Sequence, residues 1–225
     1  MLVGVRRFVP LAPLGPLAQV RAGRLGRRLA QLALGLVLFG VSTALLVLGA
    51  LGAMPWDVLH QGIALHVPLT FGQAVIATSA LVLLAWIPLR QAPGLGTVAN
   101  AVVVGLAADA TLAVMARPSD LAVRVAFVVG GIVLNGVASG LYIGAQLGPG
   151  PRDGLMTGLA RRTGWSLRAV RTGLEVSVVL LGWALGGVLG VATIAYALAV
   201  GPLVQFCLPW FTVALPEPTG EPAAS

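Results

Sequence analysis

The chain has 225 residues, of which 58% are hydrophobic and only 9% charged, with a mean hydropathy of +0.97. A soluble domain carries about a quarter charged residues, so this composition excludes an ordinary soluble enzyme and points to an all-α polytopic membrane protein. The formal charge of +7 comes from fourteen arginines against seven acids, but these arginines flank apolar runs, where they orient spans, and no nucleic-acid partner is expected.

Cys207 is the single cysteine and His60 and His66 are the two histidines, which leaves no intrachain disulfide and no Cys- or His-rich metal centre. No metal and no cofactor is expected. Residues 1–27 set Arg6, Arg7, Arg21, Arg24 and Arg27 among Pro, Gly and Leu and read as a basic cytoplasmic tail able to lie on anionic lipid. The apolar run that follows is too long for a signal peptide and ends in no convincing cleavage site. It reads as a retained first span over residues 28–52.

The chain then repeats itself. An ungapped offset of 96 positions carries Arg28 onto Arg124, Gly35 onto Gly131, Gly40 onto Gly136, Asp57 onto Asp153, Gly62 onto Gly158, Thr97 onto Thr193 and Gly105 onto Gly201. Internal repeats define architecture before any local reading does. Each copy has a Gly-rich span (28–52, 124–148), then Pro-x-Asp at Pro55 and Pro151, then a short amphipathic stretch (56–67, 152–163). The stretch is too short to cross a bilayer and reads as either an interfacial or a re-entrant helix. Thr70 and Ser166 occupy equivalent cap positions before second spans at 71–89 and 167–185; Thr70 and Gln73 have capping-box spacing. Third spans begin at Thr97 and Thr193.

The expected fold is therefore six transmembrane helices in two inverted-topology three-helix repeats, residues 28–114 and 124–210. An external linker covers 115–123 and a disordered cytoplasmic tail 211–225. With the amino terminus inside and six crossings, twelve of the fourteen arginines fall on the cytoplasmic side and both termini are cytoplasmic, as the positive-inside tendency asks. Inverted repeats are frequent among secondary transporters.

Five side chains stand out as substrate-binding candidates: Asp57, Asp153, Arg152, Arg171 and Glu175. Asp57 and Asp153 follow proline at equivalent places, expected near opposite mouths of a pathway. The bland reading is that each caps its short helix by accepting a backbone N–H. Arg171 and Glu175 have i,i+4 spacing and pair within a span. A charge inside a membrane is costly and reads as functional by default, against the alternative of a structural ion pair anchoring the helix. His60 reads as an interfacial residue and Asp109 as one near the outer surface. No nucleophile elbow, HExxH, Walker loop or CxxC is present, so no enzymatic activity is expected.

The run Gly150-Pro151-Arg152-Asp153-Gly154-Leu155, continued to Gly164, then Arg171 to Glu175 and Gly182 to Gly187, resembles the YczE/YitT-like family of bacterial integral membrane proteins over residues 27–208. Gly94, Gly96 and Thr97 match the family's Gly-x-Gly-Thr element; in the second copy Ala192 stands for its second glycine. The resemblance implies a multi-pass plasma-membrane protein, with some members linked to secondary-metabolite production, and no established substrate. Two functions remain open. One is a small carrier or permease for a small molecule or ion. The other is a membrane scaffold whose Arg-rich cytoplasmic surface recruits a protein partner.

Overall fold

A computed structural model describes residues 15–215. Among them are nine helices: α1 (Pro16–Arg21), α2 (Leu25–Gly49), α3 (Pro55–His66), α4 (Phe71–Trp86), α5 (Leu95–Val114), α6 (Leu121–Gly144), α7 (Pro151–Thr163), α8 (Leu167–Ala184) and α9 (Val191–Phe211). Arg6, Arg7 and the tail from residue 216 lie outside the described residues. Residues 211–215 are not a loose tail: Val213 is buried, donates its N–H to Gly144 O at 3.0 Å and accepts from Gln146 Nε2 at 2.7 Å.

The all-α membrane class stands, but the expectation of six spans in two three-helix repeats does not. Among the described residues four helices, α2, α5, α6 and α9, are long and apolar enough to cross a membrane. The count reaches five if α3 and α4, bent by 113° at their junction, form one broken span. The physical reasons differ between the two failures. Helix α4 has 16 residues, about 24 Å at ~1.5 Å per residue against a hydrocarbon core of about 30 Å. Helix α8 carries Arg168, Arg171 and Glu175 in its first half. Each 96-residue unit thus holds four helices, two of them long; four crossings leave both termini on one side of the membrane, whereas five set them on opposite sides.

Local chemistry explains the helix boundaries. The hydroxyl of Thr70 accepts from Gln73 N at 3.1 Å while Thr70 N donates to Gln73 Oε1 at 2.9 Å, completing the expected capping box of α4. Ser166 caps α8 through Ala169 N at 3.2 Å. Proline opens α3 and α7 at a position whose N–H has no helical partner in any case.

At the centre α2 packs along α6. Glycines allow it: a Cβ on Gly35 would meet Tyr142 N at 2.8 Å, and one on its counterpart Gly131 would meet Leu46 Cγ at 3.0 Å. The two helices run antiparallel, as their ends show. Arg28 Nε and Nη2 donate to Ala145 O and Gln146 O at 2.8 and 2.6 Å. Arg124 Nε and Nη2 donate to Gly49 O and Ala50 O at 2.9 and 2.8 Å. Each arginine therefore satisfies the terminal carbonyls of the other unit's first helix, groups that α-helices always leave unpaired.

Around this pair α5 packs on α2 and α9 on α6. The short helices cross over, α3 onto α8 and α7 onto α4. Size is exchanged between the crossings: Gly154 of α7 sits under the Trp86 ring, whereas Gly182 of α8 sits under Val58 and Leu59 of α3. The outward surfaces of α2, α5, α6 and α9 carry exposed Leu, Val, Ile and Phe, as a lipid-facing surface requires.

The repeat is uneven in one respect. Helix α4 packs along α5, while the equivalent α8 scarcely touches α9. A Cβ on Gly105 would meet Gly72 O at 2.5 Å; its counterpart Gly201 has nothing within 4 Å.

Two outcomes test this framework. Gly105→Ala should destabilise the detergent-purified protein by about 1–3 kcal/mol through overpacking, whereas Gly201→Ala should be neutral or slightly stabilising, read as shifts in thermal midpoint. Equal losses at both positions would remove the asymmetry between the units. Arg28→Ala should cost about 3 kcal/mol through carbonyls left without a charged donor, and Arg28→Lys should not recover the loss, because one ammonium cannot reproduce the guanidinium fork.

Candidate functional site

The open side of the repeat holds a cavity of ≈ 360 Å³. Helices α2 to α9 all contribute to its wall, with Phe39, Val75, Val104 and Met156 supplying apolar surface and Asn100, Ser139 and Gln205 polar groups. Gly201 and Val204 of α9 face Arg171 and Glu175 of α8 across it. The missing α8–α9 contact is thus where the cavity lies.

Four of the five candidate residues, Arg152, Asp153, Arg171 and Glu175, line this one cavity. Asp57 stands directly behind it, with Arg152 Nη2 3.8 Å from Asp57 Oδ1. The expectation that Asp57 and Asp153 mark opposite mouths is overturned. Helices α3 and α7 both turn inward, so their leading turns meet. Arg152 bridges them, its guanidinium 5.1 Å above the Trp56 ring, a distance at which a cation is attracted by the π face.

The two aspartates have diverged in environment. Asp57 is buried, and its Oδ1 lies 3.0 Å from His60 Nδ1. His60 Nε2 in turn lies 2.8 Å from Thr78 Oγ1. The N-cap of α3 is Met54 and Asp57 spends its carboxylate on side chains, so helix capping does not account for it. His60 is fully buried, which corrects its interfacial reading. Asp57 and His60 lock α3 to α4. Asp153 lines the cavity, and its Oδ2 accepts from the Tyr142 hydroxyl at 3.0 Å. It also lies beside the Gly150 N–H, so a contribution to the start of α7 survives there.

Arg171 and Glu175 pair as their spacing predicts, Nε to Oε1 at 2.9 Å. Both side chains stay partly exposed, 56% and 29%. Their counterparts Val75 and Ser79 line the opposite wall, so the charged pair belongs to one side alone.

The sequence reading missed the aromatic part. Tyr142 and Tyr196 are the only tyrosines of the chain and both line the cavity. Tyr196 donates to Asn135 Oδ1 at 2.9 Å, and Asn135 Nδ2 donates to Ser42 Oγ at 2.9 Å, tying α9 through α6 to α2. A signal existed: Tyr142 replaces Leu46 and Tyr196 replaces Asn100 of the first unit. Asp109 takes a structural role, accepting from Gly72 N at 2.7 Å and from the Thr70 hydroxyl, which fastens α4 to α5. Gln205 occupies the equivalent position in the cavity wall. Among the described residues no group of three His, Cys, Asp or Glu is placed to hold a metal ion.

No solved structure matches the chain. It is 43% identical over 173 residues, 77% of its length, to an uncharacterized protein of Haemophilus influenzae, covering 79% of that protein. It is 34% identical over 177 residues to the uncharacterized membrane protein YczE of Bacillus subtilis, spanning 78% of this chain and 82% of that one. With residues 26–209 matching the model of the family of unknown function DUF6198, the chain belongs to that family of multi-pass membrane proteins.

Proposed function

We propose that this protein is a carrier or permease of the bacterial plasma membrane, moving a small molecule or ion through the cavity between its two helical units. The observation that carries the reading is the cavity itself: four charged side chains converge on a ≈ 360 Å³ space in a protein whose long helices face lipid. Charges held inside a membrane protein are expensive and mark substrate or ion pathways. The volume is at the small end of ligand sites, which run from about 300 to 1,000 Å³. The reading assigns no chemical step. It places the Arg-rich amino-terminal segment on the cytoplasmic side, where anionic lipid attracts it. The competing scaffold reading draws on exposed Arg161, Arg162 and Arg168, but leaves the cavity charges without a role.

In a Cys207→Ser background, Gly201→Cys should react with a small hydrophilic maleimide, because position 201 faces the cavity and has open space around it. A transported solute should slow that reaction and show counterflow in proteoliposomes, and a ligand at about 100 times its dissociation constant should add about 2.7 kcal/mol of stability. A carrier should do this as a purified protein. No solute protecting position 201, together with a co-purifying protein lost on charge reversal at Arg161 and Arg162, would transfer support to the scaffold.

A further inference from the structure

We infer that the cavity's ligand is a small organic monocation, an ammonium group on an apolar body, with Asp153 as its counter-ion. The inference rests on the carrier reading and names the substrate class of the same site.

The charges at the cavity do not balance. Two guanidinium groups, Arg152 and Arg171, face three carboxylates, Asp57, Asp153 and Glu175. Arg171 is taken by Glu175 at 2.9 Å. Arg152 is turned toward Asp57 and stacked on Trp56. Asp153 forms no ion pair among the described residues, and its one side-chain hydrogen bond comes from Tyr142. A carboxylate has about four acceptor positions, so Asp153 presents unfilled acceptor capacity to the cavity it lines. With His60 neutral, the cluster is one negative charge in excess, and a monocation restores neutrality.

The surroundings choose the kind of cation. Tyr142 brings its ring as well as its hydroxyl to Asp153, and the rings of Phe39 and Tyr196 stand in the same wall. Phe39 and Tyr142 meet edge to face with centroids 6.1 Å apart. Aromatic faces attract ammonium groups and accept hydrocarbon equally well. A hard inorganic cation instead wants six or more oxygen ligands. Asp153 offers one carboxylate, and no second acid is free to join it. An anionic ligand at Arg152 or Arg171 would share the guanidinium with Asp57 or Glu175 and would deepen the excess of negative charge. Apolar Val104, Met156 and Val200 complete the wall, so an amine with a compact hydrocarbon body fits both charge and lining.

The test is equilibrium binding to the purified full chain in detergent, using three probes of one shape: phenethylammonium, 2-phenylethanol and 3-phenylpropanoate. Tetraethylammonium serves as a second cation. The cations should bind and the neutral and anionic probes should not. Asp153→Asn should weaken cation binding by about 10- to 100-fold, the worth of one hydrogen bond to a charged group, while Asp153→Glu retains most of it. Both variants are compared at matched thermal midpoints, so loss of fold is seen separately. Glu175→Gln, which frees Arg171, should shift preference toward the anion.

Binding of the alcohol or the carboxylate in place of the cations would overturn the substrate class and leave the carrier reading standing. Cation binding unchanged in a folded Asp153→Asn protein would overturn the assignment of the counter-ion. Binding of none of the four probes, with no solute protecting Gly201→Cys, would take both readings down together.

Discussion

The structure depends on the reciprocal capping of α2 and α6 by Arg124 and Arg28. An α-helix leaves its last carbonyls without intrahelical donors, and such groups need partners once they are buried. Each unit solves this for the other, with a guanidinium whose parallel N–H groups reach two successive carbonyls. A cation at a helix carboxyl terminus also meets the negative end of the helix dipole. Because the donors sit at the start of one helix and the acceptors at the end of the other, the pair fixes direction and register at once. The glycines at 35 and 131 then let the backbones close along that register. Just past the caps, Gly52 and Gly148 adopt φ of 122° and 120°, a region glycine enters without steric cost. The chain turns there into the short helices that build the site.

That reciprocity explains the sequence differences between the units. Where two equivalent segments approach each other, a residue meets its own counterpart. Positions 56 and 152 do so, and identity there would set tryptophan on tryptophan or arginine on arginine. Two guanidinium groups at such a distance repel; Trp56 under Arg152 attracts. The same logic governs the crossings of the short helices. Val58 against Gly182 in one crossing becomes Gly154 against Trp86 in the other, so bulk changes partner while the contact survives. Close packing tolerates such exchanges of volume far better than additions.

Much of the frame was legible in the chain because the 96-residue offset needs no gap and its glycines recur at contact positions. The capping box at Thr70, the cap at Ser166 and the Arg171–Glu175 pair were legible too, since each is fixed by spacing within one helix. What spacing cannot carry is contact between helices. Arg28 and Arg124 stood out as equivalents, yet their role lies in carbonyls more than seventy residues away in sequence. Asp57 and Asp153 were recognised as a pair and placed apart, because nothing local says that α3 and α7 both fold inward. The partners of Tyr142 and His60, Asp153 for the one and Thr78 for the other, follow only from how the helices are set beside one another.

The error in the span count and the location of the site have a common cause. Helix α8 departs from the pattern of a membrane span because Arg171 and Glu175 interrupt its apolar face, whereas Val75 and Ser79 at the same places leave α4 uncharged. A lipid-facing helix would not keep such residues at that cost. A helix that borders a polar cavity can, and α8 stands away from α9 with those two side chains turned into the gap. On the other side, Gly72, Gly105 and Asp109 seal α4 against α5. Their counterparts Arg168, Gly201 and Gln205 make no equivalent contact. Duplication supplied two copies of one packing scheme, and substitution at a few positions of the second copy left one seam open and charged.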